Sequence, residues 1–398
     1  MRFDPVDSRV AHRQAPVDSR VAHGILNTWH NSRMKMVAEF KIHYRQILGE
    51  AGEVVAPLPR FAKDSAEVLR MYQAMTMVRV FDTKAVNLQR TGQLGTYPPS
   101  LGHEAAHIGV GAAMRPEDVL APVYREFGTQ LWRGVTMTEI LTYWGGDERG
   151  SDFAVPRQDF AWCVPIATQT LHAAGAAMAF KVRKEPRCAL AYIGDGGTSE
   201  GAFYEALNLA GSRALPVVFV IVNNGWAISV PVAAQTAAKT LAQKAVAAGI
   251  PGVQVDGNDV FAVREVVGEA LEAARDGAGP SVIEALTYRL SDHTTADDAG
   301  RYRSAEEVKE AWALEPLIRI RRFLIDSGLW DAAKERALLE ECTLKVDAAV
   351  AEYLAKAKPA TDAMFDHLFA ALPAHLSEQR LIARHYSSKP GVSKPSGH

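Results

Sequence analysis

Cysteine is scarce in this chain. Only Cys163, Cys188 and Cys342 occur among 398 residues, and no two form a CxxC pair. That excludes a zinc ribbon and a disulfide framework, and it suits a reducing compartment. Long apolar runs are missing as well. The longest, Val217 to Val222, is far too short to span a bilayer. No apolar core of a secretory signal stands near the N-terminus. Excess charge of one sign is also absent. The 44 Lys and Arg face 46 Asp and Glu, a net charge of −2. No long-range field therefore draws in nucleic acid or anionic lipid. The His- and Arg-rich N-terminal stretch carries no interleaved aromatics and reads as a solvated arm. Together these absences point to a soluble, cytoplasmic protein without nucleic-acid or membrane partners.

Hydrophobic residues make up 48% of the chain, enough for a sizeable core. The length suits one large domain with appendages, or two domains. Pro5 to His12 reads PVDSRVAH, and Pro16 to His23 repeats it. With no apolar periodicity, this segment cannot bury a face and is expected to be disordered. A small duplication, or a true start at Met34 or Met36, explains it better than a tandem binding motif. Residues 1–35 are thus read as an extension, 36–372 as the domain and 373–398 as a loose polar tail.

Within the domain, a helical stripe runs from Ser65 towards Leu88. A Gly- and Pro-rich loop follows over Gly92 to Gly102, then a small-residue helix to Met114. Strands are expected at Val119 to Val123, Cys188 to Ile193, Val217 to Val222, Val253 to Val255 and Ser281 to Tyr288. Helices are expected at Glu200 to Arg213, Thr236 to Ala248 and Val260 to Ala274, and from Arg303 to Ala357. This alternation predicts an α/β fold: a mostly parallel sheet with helices on both faces and helical arms at either end.

The informative segment, Ala191 to Pro231, reads AYIGDGGTSEGAFYEALNLAGSRALPVVFVIVNNGWAISVP. The first strand ends at Ile193. Gly194, Gly196 and Gly197 then let the backbone turn sharply and approach a ligand. The helix beginning near Ser199 aims its first amides at the same place, which favours phosphate. Asp195 follows the first strand, and Asn223 and Asn224 follow the next. Neighbouring parallel strands end side by side, so Asp195 and Asn224 can meet at one ion. Oxygen ligands suit magnesium or calcium, with diphosphate oxygens completing the shell. A nicotinamide fingerprint and a Walker loop are both absent, because the turn lacks GxGxxG and no Lys follows the glycines.

On these motifs the chain resembles the alpha subunits of the thiamine-diphosphate-dependent decarboxylating component of 2-oxo acid dehydrogenases, pyruvate and branched-chain types. The resemblance covers residues 36–372. It implies that Asp195, Asn224 and the Trp226 carbonyl hold Mg2+, and that Gly196 and Gly197 line the thiamine diphosphate. It places Tyr124 and Arg125 on the diphosphate, and Val164 and Ile166 against the aminopyrimidine ring. Taken alone, Arg125 is a surface residue pairing with Glu126, and Val164 and Ile166 are core. His293, in the polar segment YRLSDHTTADDAGRYR, is implied to reach the thiazolium end as the catalytic histidine, able to hold a proton near neutral pH. Ser291 and Pro98 stand where some relatives carry further histidines, leaving Tyr97 as a candidate lining residue. Thr294 falls where some relatives are phosphorylated on Ser.

The family also needs a Glu on the aminopyrimidine, from a second domain that this chain lacks. The resemblance therefore implies a beta subunit in an alpha-two beta-two tetramer, with the small-residue helices Ala105 to Met114 and Ala173 to Phe180 at interfaces. It also implies a lipoyl-bearing acyltransferase that receives the acyl unit left after a 2-oxo acid loses carbon dioxide. QILGEAGEVV (Gln46 to Val55) and HTTADD (His293 to Asp298) lean towards pyruvate over branched-chain acids or acetoin. A non-catalytic assembly subunit and a nucleotide-binding oxidoreductase remain as rival classes.

Overall fold

A computed structural model describes residues 36–387. The duplicated octapeptide, the rest of the expected extension and the last residues of the tail lie outside the described residues. The chain divides into two units, Met1–Lys41 and Ile42–His398. The second carries everything described below.

Its centre is a six-stranded parallel sheet built from β1 (His43–Arg45), β2 (Val119–Ala121), β3 (Ala189–Gly194), β4 (Val217–Asn223), β7 (Gly252–Asp256) and β8 (Ser281–Leu286), in the order β1-β7-β8-β4-β3-β2. Strands β5 (Trp226–Ala227) and β6 (Val230–Pro231) form a separate small antiparallel hairpin. Side chains alternate between two cores. Leu190, Tyr192, Val218 and Val220 face one, and Ala189, Ala191, Val217 and Phe219 face the other. A strand apolar at every position is the expected product of burial on both faces.

The helices of seven or more residues are α1 (Ser65–Arg90), α2 (Glu104–Ala113), α3 (Phe127–Arg133), α4 (Met137–Trp144), α5 (Thr168–Arg183), α6 (Gly201–Ser212), α7 (Val260–Arg275), α8 (Ala305–Ala313), α9 (Pro316–Asp326), α10 (Ala332–Ala355) and α11 (Ala374–Ser387). Helices α2 and α7 contribute to the first core, α5 and α6 to the second. A third cluster joins α1, α4 and α10 through Phe81, Ile140 and Val346. Asp64 and Asp259 cap α1 and α7 by accepting first-turn amides. The second oxygen of Asp259 also accepts the amides of Ile47 and Leu48, fixing the chain just after β1.

The alternating α/β architecture is as the sequence predicts, with three departures. The edge strand β1 has no counterpart among the expected strands. The helix expected over Thr236 to Ala248 is not continuous. Within it only Lys244–Ala247 is helical, and a separate short turn, Val232–Gln235, precedes it. Thr236 and Thr240 side chains bond nearby amides, and the Ala242 amide is taken by Glu284, so local and tertiary bonds replace the helical ladder. The tail expected to be irregular instead carries α11, none of whose residues is buried. No described helix is long and apolar enough to cross a membrane.

Candidate active site

A cavity of about 600 Å³ opens at the carboxyl ends of β3 and β4. The register pairs Gly194 with Val222, so the residues just beyond them emerge side by side. The ten residues implied to hold the metal or the cofactor all line it: Tyr124, Arg125, Val164, Ile166, Asp195, Gly196, Gly197, Asn224, Trp226 and His293.

Asp195 is almost fully buried, and that burial pushes its carboxyl above the usual range. Its backbone carbonyl accepts both the amide and the hydroxyl of Thr198, closing the Gly196–Ser199 turn into a 3-10 helix. Helix α6 starts only after that turn, at Gly201. Two glycines are required here. A Cβ on Gly196 would lie 2.5 Å from Ala227 Cβ, and one on Gly197 would lie 2.7 Å from Ile193 Cγ1. On the neighbouring strand end, Asn224 Oδ1 accepts the Trp226 amide at 3.2 Å, and Gly225 turns with φ +87°. Carboxylate, amide oxygen and main-chain carbonyl thus converge on one cavity. Among the described residues no group of three His, Cys, Asp or Glu could hold a metal. The available donor set is all oxygen and fits a hard divalent cation.

The cavity also has a cationic side. Arg125 and Arg289 line it, both are buried, and among the described residues neither has a carboxylate within 4.0 Å. Arg125 does not pair with Glu126 through its guanidinium, the reading a lone surface Arg would suggest. It donates instead to the Pro99 carbonyl and to His293 O at 3.0 Å. Arg289 donates to Trp226 O at 3.0 Å and Ile228 O at 2.8 Å, while its Nε has no protein partner. Buried guanidinium groups without carboxylates are a ready site for a polyanion.

His293 joins the two arginines. Its Nδ1 lies 3.3 Å from Arg125 Nη2 and 3.3 Å from Arg289 Nη1. Burial and these two charges lower its pKa to about 3. Burial and the two guanidinium groups therefore favour the neutral ring, which keeps one proton, over the charged imidazolium. Both donors point at Nδ1, so Nε2 carries the single proton. The loop is held from behind by Asp297, which accepts the His293 amide at 2.9 Å. Thr295 adds a bond from its own amide to Tyr97 O at 2.9 Å.

Tyr97 itself is not a lining residue. It is fully buried, with its hydroxyl on Asp82 at 2.9 Å, and its neighbours Thr96 and Pro98 face the cavity. Val164 and Ile166 are 48% and 43% exposed at the mouth, which rules out plain core packing. Sequence reasoning missed Arg289, Gln235, Gln169 and His103. Gln235 donates to Asp195 Oδ2, and the other three line the cavity. Arg289 had a usable signal, an arginine placed a few residues past a strand end. The others carry none without the fold.

Residues 72–363 match the model of the family described as dehydrogenase E1 component. A 3-methyl-2-oxobutanoate dehydrogenase subunit alpha of Mycobacterium tuberculosis is 43% identical over 334 residues, covering 83% of this chain and 90% of that protein. A pyruvate dehydrogenase E1 component subunit alpha of Staphylococcus aureus is 38% identical over 352 residues, covering 88% of this chain and 95% of that protein. With a family match over most of its length, and relatives this similar along nearly all of theirs, the chain belongs to the dehydrogenase E1 component family.

Proposed function

We propose that this chain is the alpha subunit of a 2-oxo acid dehydrogenase, decarboxylating its substrate with thiamine diphosphate and Mg2+ and passing the acyl unit to a lipoyl group on a partner acyltransferase. The single observation that carries the reading is the pairing, across one cavity, of an all-oxygen donor set with buried, carboxylate-free guanidinium groups. That is the chemistry a metal-bound diphosphate needs.

Thiamine diphosphate, when bound, supplies the electron sink for loss of carbon dioxide. The chain's own residues bind and orient. Asp195, Asn224 and the Trp226 carbonyl would hold the metal. Arg125 and Arg289 would neutralise the diphosphate, with Tyr124 beside them. Gly196 and Gly197 allow the close approach, and Val164 and Ile166 would keep water from the aminopyrimidine. His293 would present its Nε2 proton to negative charge developing on the substrate oxygen. The beta subunit that the alpha-named relatives imply would supply the remaining half of the site.

Two substrates are in contention. The segments Gln46 to Val55 and His293 to Asp298 favour pyruvate. The higher identity to the Mycobacterium tuberculosis subunit, 43% against 38%, favours a branched 2-oxo acid. Decarboxylation of both, by the chain assembled with its beta partner and an artificial electron acceptor, decides between them. An Asp195→Ala control tests the site. Turnover of no 2-oxo acid by a cofactor-loaded assembly would overturn the proposal and favour acetoin cleavage or a non-catalytic role.

A further inference from the structure

Glu284 is out of place by composition. It sits in mid-strand in β8 between Ile283 and Ala285, is 1% exposed, and among the described residues has no cationic group within 4.0 Å. A carboxylate in a sheet core is costly unless its oxygens are fully used. Here they are. Oε1 accepts Asn223 Nδ2 at 2.8 Å, and Oε2 accepts the Ala242 amide at 3.0 Å and Gln254 Nε2 at 3.2 Å.

Two of those bonds lead to the candidate metal site by different routes. Asn223 uses its other side-chain atom, Oδ1, to accept the Gly225 amide at 3.2 Å. That bond shapes the turn that presents Asn224 and the Trp226 carbonyl. The Ala242 amide anchors the short stretch leading to Lys244, whose buried ammonium donates to Thr198 O at 2.7 Å. Thr198 in turn holds the Asp195 carbonyl through its amide at 3.1 Å and its hydroxyl at 2.7 Å. One carboxylate is therefore tied to both halves of the donor set, although neither it nor Lys244 lines the cavity.

We propose that Glu284 and Lys244 are positioning residues, a clamp behind the sheet that fixes the Asp195 turn relative to the Asn224–Trp226 turn and so sets the affinity for the divalent cation. The inference rests on the metal-site reading above. A purely structural Glu284 would hold only the β4-β8-β7 register, and its loss would lower stability without a selective effect on the metal.

The test is a Mg2+ titration of the chain assembled with its beta subunit at saturating thiamine diphosphate, read by tryptophan fluorescence. Melting temperature without ligands and turnover at saturating Mg2+ are measured beside it. Glu284→Gln is expected to raise the half-saturating Mg2+ concentration about ten- to a hundredfold, with kcat at saturation held within about twofold. Adding Asn223→Asp restores an acceptor opposite the new Gln amide and is expected to recover most of the affinity. Lys244→Met, at the far end of the clamp, is expected to weaken Mg2+ in the same direction, and it carries the test alone if Glu284→Gln does not fold. Wild-type Mg2+ affinity in Lys244→Met overturns the clamp, as does a Glu284→Gln defect that Asn223→Asp leaves uncorrected. A wild-type assembly that binds no Mg2+ with thiamine diphosphate instead overturns the metal-site reading itself.

Discussion

The side chain of Gln235 reaches the carboxylate of Asp195, with Nε2 2.9 Å from Oδ2. The same amide group donates to Val230 O at 3.0 Å, so its orientation is fixed by the hairpin. A carboxylate steered this way keeps its other oxygen for a cation. Gln235→Ala is expected to weaken Mg2+ binding about tenfold. Asp195→Ala is expected to abolish it. Isothermal titration of Mg2+ with thiamine diphosphate present reads both.

Arg289 should discriminate by charge. Arg289→Met would remove a buried donor from the proposed diphosphate site, and the loss of a charged hydrogen bond costs about 2 kcal/mol. Thiamine diphosphate affinity is expected to fall about thirtyfold. Thiamine, which lacks the diphosphate, should bind both forms alike. Equal losses for the two ligands would show that the substitution has simply collapsed the cavity.

The Gly196 backbone has no room for a side chain. A methyl group placed 2.5 Å from Ala227 Cβ must displace the Trp226–Ala227 strand. Overpacking of this kind costs about 1–3 kcal/mol. Gly196→Ala is expected to lower the melting temperature and, by moving the Trp226 carbonyl, to weaken Mg2+ further than the stability loss alone implies. Unchanged metal affinity would detach that carbonyl from the site.

Acid should act through His107. Burial, with help from the Arg125 charge, lowers its pKa to about 3, and neither ring nitrogen has a protein partner. The folded state therefore prefers the neutral ring. The stability this contributes is present above the unfolded pKa of about 6.5 and is lost as pH falls from there towards about 3. Between pH 7.5 and 5.5 the wild type is expected to lose about 1.4 kcal/mol more than His107→Gln. Parallel urea titrations at the two pH values measure that difference, and equal losses would remove His107 from the acid response.

The strands and the glycine turn were legible because their signals are local. β3 is apolar through Ile193 and β4 through Val222, and Asp195, Asn223 and Asn224 stand at or just past their ends. β1 was not legible. Its three residues, His43, Tyr44 and Arg45, show no apolar alternation and pair only as an edge beside β7. The stretch over Thr236 to Ala248 misled because alanine propensity is a weak prior that tertiary bonds override. Tyr97 misled because position along a loop does not say which way a side chain faces. The second rank of the site, Gln235, Lys244 and Glu284, is invisible in sequence. Each acts through a bond to a residue far away in the chain.

The Trp226 carbonyl carries one more consequence. A carbonyl oxygen has two lone pairs, and Arg289 already occupies one of them. A divalent cation sharing that oxygen would sit against a guanidinium, and against Arg125 beyond it. Alone, the cation is repelled. Accompanied by a diphosphate, both positive groups face an anion. Cation and cofactor should thus show strong heterotropic cooperativity, each raising the other's affinity by the same factor. Either one by itself would be held weakly by this chain.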